Sequence, residues 1–211
     1  LYPQFVEDVN RKQAQLFYLK ISDIKKISDM PLKFTFQNTV FETPLLGDHQ
    51  MANASLAIWV LKDVFKLSVE AIAQTLKKTQ WAGRLERLDE GLYIDGAHNS
   101  HAMDALVESI KHLFKDKKVI VIFSALKDKD IAGMLMRLES ISERIILTSF
   151  DDPRFESLKS FENHQRTYIP NNQRIIEEVY AQRKTDEIIL ITGSLHFIGR
   201  VKSMYEKTHQ K

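Results

Sequence analysis

The sequence predicts an α/β fold in which a mainly parallel sheet, flanked by helices, follows a smaller β-plus-helical segment. Three observations predict it. From about residue 81 onward, apolar runs alternate with helix-spaced stretches, the order that a parallel sheet with helical crossovers requires. The runs VIVIF at 119–123, RIILT at 144–148 and EIILIT at 187–192 are continuous rather than alternating, as in strands covered on both faces. Before residue 80 the rhythm is different, with short alternating stretches followed by two helical ones.

Taken in order, LFYLKI at 16–21, LKFTF at 32–36 and TVFETPLL at 39–46 read as strands of a small antiparallel sheet, with Gln37-Asn38 as the turn between the last two. From Gln50, Met51, Ala54, Leu56, Ala57, Val60, Leu61 and Val64 make an apolar stripe at helical spacing. Ser68 stands as the N-cap of a second helix that carries Val69, Ile72, Ala73 and Leu76. Further strands are expected at 85–88, 92–95, 118–123, 144–149 and 187–192, and helices near 99–114, 129–139, 171–183 and 195–206. Residues 150–170 read mainly as loop, and a domain boundary is expected near residue 80, giving domains 1–80 and 81–211.

Composition narrows the function classes. The 211 residues are 44% apolar and 27% charged, which suits a soluble globular protein. No apolar run approaches the roughly 20 residues of a membrane span, and residues 1–20 lack the pattern of a signal peptide. A soluble, cytoplasmic protein is expected. A net charge of +2 with interspersed signs argues against nucleic acid as partner. The absence of Cys removes disulfides, thiolate metal sites and a cysteine nucleophile.

Ligands of an open parallel sheet bind beyond the carboxyl ends of its strands. Three polar stretches fall there: Asp95-Gly96-Ala97-His98-Asn99, Ser124-Ala125-Leu126-Lys127-Asp128-Lys129-Asp130 and Thr192-Gly193-Ser194-Leu195-His196. Helices opening near Asn99 and Ser194 offer free N–H groups to an anion. Asp95 suits a ribose hydroxyl, and it or Asn99 equally suits a helix cap. His98 and His101 share a helix face, but with no third ligand in sight no metal site is expected. Asn53, three residues after Gln50, offers the donor and acceptor pair that reads an adenine edge, or simply exposed polarity. Arg84, after Gly83 in WAGRLE, is placed either to meet phosphate oxygens or to pair with Glu86 as a linker arginine.

The order LLGDHQMANA, WAGRLE, YIDGAHNSHAMDAL, FSALKDKD, ITGSLHFIG resembles the folylpolyglutamate synthase/dihydrofolate synthase family, within the Mur ligase superfamily. The resemblance runs from residue 45 onward and implies a Rossmann-like Mur ligase C-terminal domain preceded by the tail of a P-loop ATPase domain. It implies ATP-dependent ligation of L-glutamate to a folate, or to dihydropteroate, through an acyl phosphate, by an enzyme that is a monomer at full length. It gives Asn53 the adenine, Arg84 the phosphates, Asp95 the ribose, and His98 and Ser194 the incoming glutamate, with Arg84 and His98 nearest the chemistry. It also implies Mg²⁺, whose ligands are expected upstream of Leu1. No G-x-x-x-x-G-K-[ST] occurs in this sequence, and the chain opens on Leu1 in place of Met, so a C-terminal fragment, inactive alone, is expected. Ser100 stands where the family's proline is usual after DGAHN, and His196 where a tyrosine is common. A cell-wall ligase of the Mur type and a non-catalytic nucleotide- or amino-acid-binding module are the rival readings.

Overall fold

The computed structural model describes residues 2–14, 16 and 18–209. A first helix, α1 (Tyr2–Arg11), lies where the sequence pattern gave no assignment. The strand expected over 16–21 falls in part on residue 17, outside the described residues. Its described part is unpaired and runs into a 3-10 turn at Ile21–Asp23.

The small sheet is instead β1 (Lys25–Asp29), β2 (Leu32–Phe36) and β3 (Thr39–Thr43), antiparallel throughout. Gln37 and Asn38 both have positive φ, 48° and 61°, the conformation of a two-residue hairpin turn whose twist matches the strands. In β2 the alternation buries Leu32, Phe34 and Phe36 on one face, and this face packs on Ala54, Ile58 and Ile72. Pro44, which has no N–H to donate, follows the last residue of β3.

Helix α2 (His49–Trp59) continues into a π-turn at Val60–Val64, where Phe65 N–H reaches the Val60 carbonyl at 3.1 Å. Helix α3 (Val69–Leu76) is capped as expected, the Ser68 hydroxyl accepting from Ala71 N–H at 3.2 Å.

The larger sheet has the order β4 (Glu86–Asp89), β5 (Leu92–Asp95), β9 (Glu187–Thr192), β6 (Lys118–Phe123), β7 (Arg144–Leu147), β8 (Arg166–Tyr168). Every pairing is parallel except that of β4 with β5. The 150–170 stretch, expected as loop, contains β8 and a 3-10 turn at Leu158–Phe161. Three residues are too few to show a periodicity. Helices α4 (Ser100–Leu113) and α5 (Ile131–Glu139) cover one face through Met103, Leu106, Ile110, Met134, Leu135 and Leu138. Helices α6 (Asn172–Gln182) and α7 (Leu195–His209) cover the other through Ile175, Ile176, Val179, Phe197, Ile198 and Val201.

This topology positions the site. The chain leaves β5 and β6 for helices on one face and leaves β9, which lies between them, for a helix on the other. Loops that diverge in this way open a crevice at the carboxyl ends of the three strands. Among the described residues no helix is long and apolar enough to cross a membrane.

Candidate functional site

Asp95 ends β5, in register with Thr192 at the end of β9. Its carboxylate is buried, one oxygen accepting from Leu85 N–H at 2.7 Å and the other from Ala97 N–H at 2.8 Å. Burial pushes its pKa above the usual carboxylate range, against the opposing pull of those two N–H groups and of the charges on Arg84 and His98. The Leu85 bond joins two loops, for the backbone at Leu85 sits at φ 42°, a conformation that a branched residue keeps only when its surroundings hold it. Gly96 N–H also bonds the Gly83 carbonyl, at 2.9 Å. The WAGRLE and DGAHN loops are therefore one hydrogen-bonded unit. Each oxygen of Asp95 keeps a second lone pair for a hydroxyl.

Arg84 is carried on that unit. Glu86, its alternative partner, instead receives the Lys202 ammonium at 2.6 Å and the Gly83 N–H at 2.8 Å. Among the described residues the Arg84 guanidinium makes no hydrogen bond or ion pair, while its charge is felt at both Asp95 and His49. It lines a cavity of about 490 Å³ with Leu45, Leu46, Trp81, Glu86 and Tyr93. Five N–H donors in a fixed fork without a protein acceptor suit an anionic ligand.

Asn53 lies in the first turns of α2, exposed, and its amide donates to Gln50 Oε1 at 3.2 Å. The Gln50 amide in turn contacts His49 Nε2 at 3.1 Å. The imidazole of His49 is held below its usual pKa by burial of part of the ring and by the charge of Arg84. A polar chain thus leads from Asn53 toward Arg84, although Asn53 does not line the cavity of about 490 Å³ that Arg84 does.

His98 and Ser194 do share one, of about 170 Å³, with Lys129, Arg154 and His196. His98 Nδ1 lies 2.8 Å from the Gly96 carbonyl; a carbonyl only accepts, so Nδ1 carries the proton and Nε2 is left for a ligand. Ser194 is buried and caps α7, its hydroxyl accepting from His196 N–H at 3.2 Å. Gly193 before it has φ 113°, and a Cβ there would stand 2.5 Å from the Ser124 carbonyl, so only glycine fits. The Thr192 hydroxyl, fully buried, has no hydrogen-bond partner among the described residues. Asn99 caps α4 through Ala102 N–H at 2.9 Å, and Ser100 donates to Asp130, the cap of α5, at 3.3 Å. In this crevice Asn99 takes the capping role and Asp95 does not.

Sequence reasoning missed Arg154. It follows the turn Asp151-Asp152-Pro153 and is held by Asp152 at 3.3 Å while donating to His196 Nε2 at 3.1 Å. The only available signal was an arginine directly after a proline turn beyond a strand end.

The glutamate ligase domain of the Mur ligases matches residues 83–195. The dihydrofolate synthase/folylpolyglutamate synthase of Bacillus subtilis is 37% identical over 171 residues, which cover 76% of this chain and 40% of that protein. The folylpolyglutamate synthase of Thermotoga maritima superposes with a TM-score of 0.76 at 28% identity, covering 97% of this chain and 51% of that one. A bifunctional folylpolyglutamate synthase/dihydrofolate synthase solved with Mn, AMPPNP and L-glutamate bound gives a TM-score of 0.73 at 25% identity, covering 95% of this chain and 50% of that one. The chain spans about half the length of the relatives it matches or less. With the match extending over more than half of its 211 residues, the chain belongs to the Mur ligase family and carries that family's glutamate ligase domain.

Proposed function

We propose that this chain is the C-terminal part of an ATP-dependent ligase that joins L-glutamate to a folate or to dihydropteroate. The carboxylate of the acceptor takes the terminal phosphoryl group of ATP as an acyl phosphate. The amino nitrogen of glutamate then attacks the acyl carbon, phosphate leaves and an amide remains. The observation that carries this reading is the guanidinium of Arg84, unpaired among the described residues, lining a cavity, and carried on the loop that is hydrogen-bonded to Asp95. A fixed cation aimed at transferring phosphoryl oxygens supplies the electrostatic stabilisation such chemistry relies on.

In this reading Asn53 meets adenine, Asp95 the ribose, and His98 and Ser194 the glutamate, in a cavity whose cationic lining suits a dicarboxylate. Glutamate and a nucleotide analogue are bound in one of the relatives, which supports the kinds of ligand. Residues 1–80 form the tail of an ATPase domain, with 81–211 the second domain. The large hydrophobics that this tail leaves exposed, including Val40, Val64 and Phe65, are then covered by the half of the ligase that lies outside this sequence. Magnesium does not fit here: the one cluster of potential ligands among the described residues, Asp29, Asp48 and His112, encloses a lysine ammonium. Its ligands belong to the other half.

The test uses the full-length ligase with Arg84→Ala. A fall in kcat of roughly 10²–10³-fold, with KM for glutamate little changed, is expected; unchanged kinetics removes Arg84 from the site. Glutamylated product from this 211-residue chain alone, given ATP, Mg²⁺, glutamate and a reduced folate, would overturn its dependence on the other half. Turnover with a cell-wall nucleotide acceptor in place of folate would favour the Mur-type rival.

A further inference from the structure

The two sheets are joined at an ionic cluster that none of the roles above uses. The Lys26 ammonium, on β1, lies 3.0 Å from each carboxylate oxygen of Asp48, 3.1 Å from Asp29 Oδ1 and 3.1 Å from His112 Nε2. Asp29 Oδ1 and His112 Nε2, themselves 3.0 Å apart, share it. These groups come from three places: the two ends of β1, the residue before α2, and the last turn of α4 on the far side of the joint. Lys26, Asp48 and His112 border a cavity of about 590 Å³ between the segments, with His49, Glu108 and Lys111 also on its wall.

The backbone beside the cluster is equally close to α4. A Cβ on Gly47 would stand 2.7 Å from the Ser109 hydroxyl, and Leu46 packs on the core of the larger sheet. The ligand atoms of Asp29, Asp48 and His112 lie within 4.8 Å of one another, as they would around a metal ion. The ammonium already stands among them. Partial burial alone would lower the pKa of Lys26, but the hydrogen bonds and charges of Asp48 and Asp29 hold it above the usual lysine range.

We propose that Lys26, Asp29, Asp48 and His112 form a latch that sets the small-sheet segment against the α/β segment, with the Lys26 ammonium as its resident cation. The latch fixes Asp48, directly ahead of His49, Gln50 and Asn53, against α4. The consequence for nucleotide placement rests on the proposed function; the latch itself does not.

The chain has no Cys, so spin labels go only where cysteines are introduced, at the exposed Glu70→Cys and Glu143→Cys, one in each segment. Pulsed electron–electron resonance should give one narrow distance. Adding Lys26→Gln with His112→Ala should broaden it and populate a longer distance, while circular dichroism confirms that both segments stay folded. An unchanged distribution overturns the latch. Lys26→Ala alone leaves Asp29, Asp48 and His112 without their cation, and added Zn²⁺ should narrow the distribution again, an effect that His112→Ala abolishes. A broadened distribution that Zn²⁺ leaves untouched overturns the resident-cation role. Because these readouts involve no ligation, their failure leaves the proposed function standing, and the kinetic failure of Arg84→Ala leaves the latch standing.

Discussion

The α/β segment closes on itself and the small-sheet segment does not. In the first, helices cover both faces of the sheet, and among the described residues after Trp81 only Met136 and Leu195 are large hydrophobics left exposed. In the second, one face of three strands is packed on α2 and α3 while Ile27, Met30, Val40, Leu56, Val64, Phe65 and Leu67 face outward. Three strands with one covered face are near the lower limit for independent stability. The segment that carries Arg84, Asp95, His98 and Ser194 is thus held by its own interior, whereas the segment that carries Asn53 depends on its neighbours.

The sharpest way to break this comparison is to make the same deletion in both cores. Phe123 in the large sheet and Phe34 in the small one are both fully buried. Phe123→Ala should cost about 3–5 kcal/mol and shift the main urea transition followed by circular dichroism. Phe34→Ala should shift chiefly a local transition, followed by the fluorescence of Trp59 on α2. Coincident shifts of both signals in both variants would show that the segments unfold as one, and the distinction would fall.

A smaller effect is expected at Asp95, where the comparison becomes one of buried charge against exposed charge. Asp95→Ala leaves the N–H groups of Leu85 and Ala97 without acceptors, costing on the order of 2–4 kcal/mol. The pH dependence has a definite sign. The folded-state pKa is raised, so between the unfolded value of about 3.9 and the folded one the native state binds more protons. The stability contributed by this group therefore falls as pH rises through that window and is flat above it. Asp95→Asn cannot titrate, so the parent should lose stability relative to it as pH rises from the acid side. A difference that stays constant with pH would show that Asp95 keeps an ordinary pKa when folded.

The same contrast decides what the sequence could reveal. Continuous runs such as VIVIF and EIILIT announced β6 and β9 because burial on both faces leaves an unmistakable pattern. β1, spelled KKISD, was missed because an exposed strand beside a lysine latch has no apolar signature, and the strand was placed too early, on LFYLKI. At the site, motif order picked out Arg84 and Asp95, whose loops are hydrogen-bonded to each other, and His98 and Ser194, which line one cavity. Motif order could not show that Asp95 spends its first lone pairs on Leu85 and Ala97, since that depends on a turn ten residues away in the chain. Arg154 escaped because its partner His196 is 42 residues on and its approach is purely tertiary.

The smallest expected effect on stability lies on the open face of the small-sheet segment. Phe65 and Leu67 follow the π-turn and are 66% and 48% exposed, so only about a third of the first and half of the second is withdrawn from water on folding. Replacing both by Ser should cost on the order of 1 kcal/mol, in contrast to a deletion at Phe34 on the packed face. What should change is association, because contiguous exposed apolar surface is what drives copies together. Sedimentation velocity at rising concentration should show less self-association for the double variant than for the parent. A stability loss matching that of Phe34→Ala would mean that Phe65 and Leu67 are held by the segment's own core, and the face described as open would be closed.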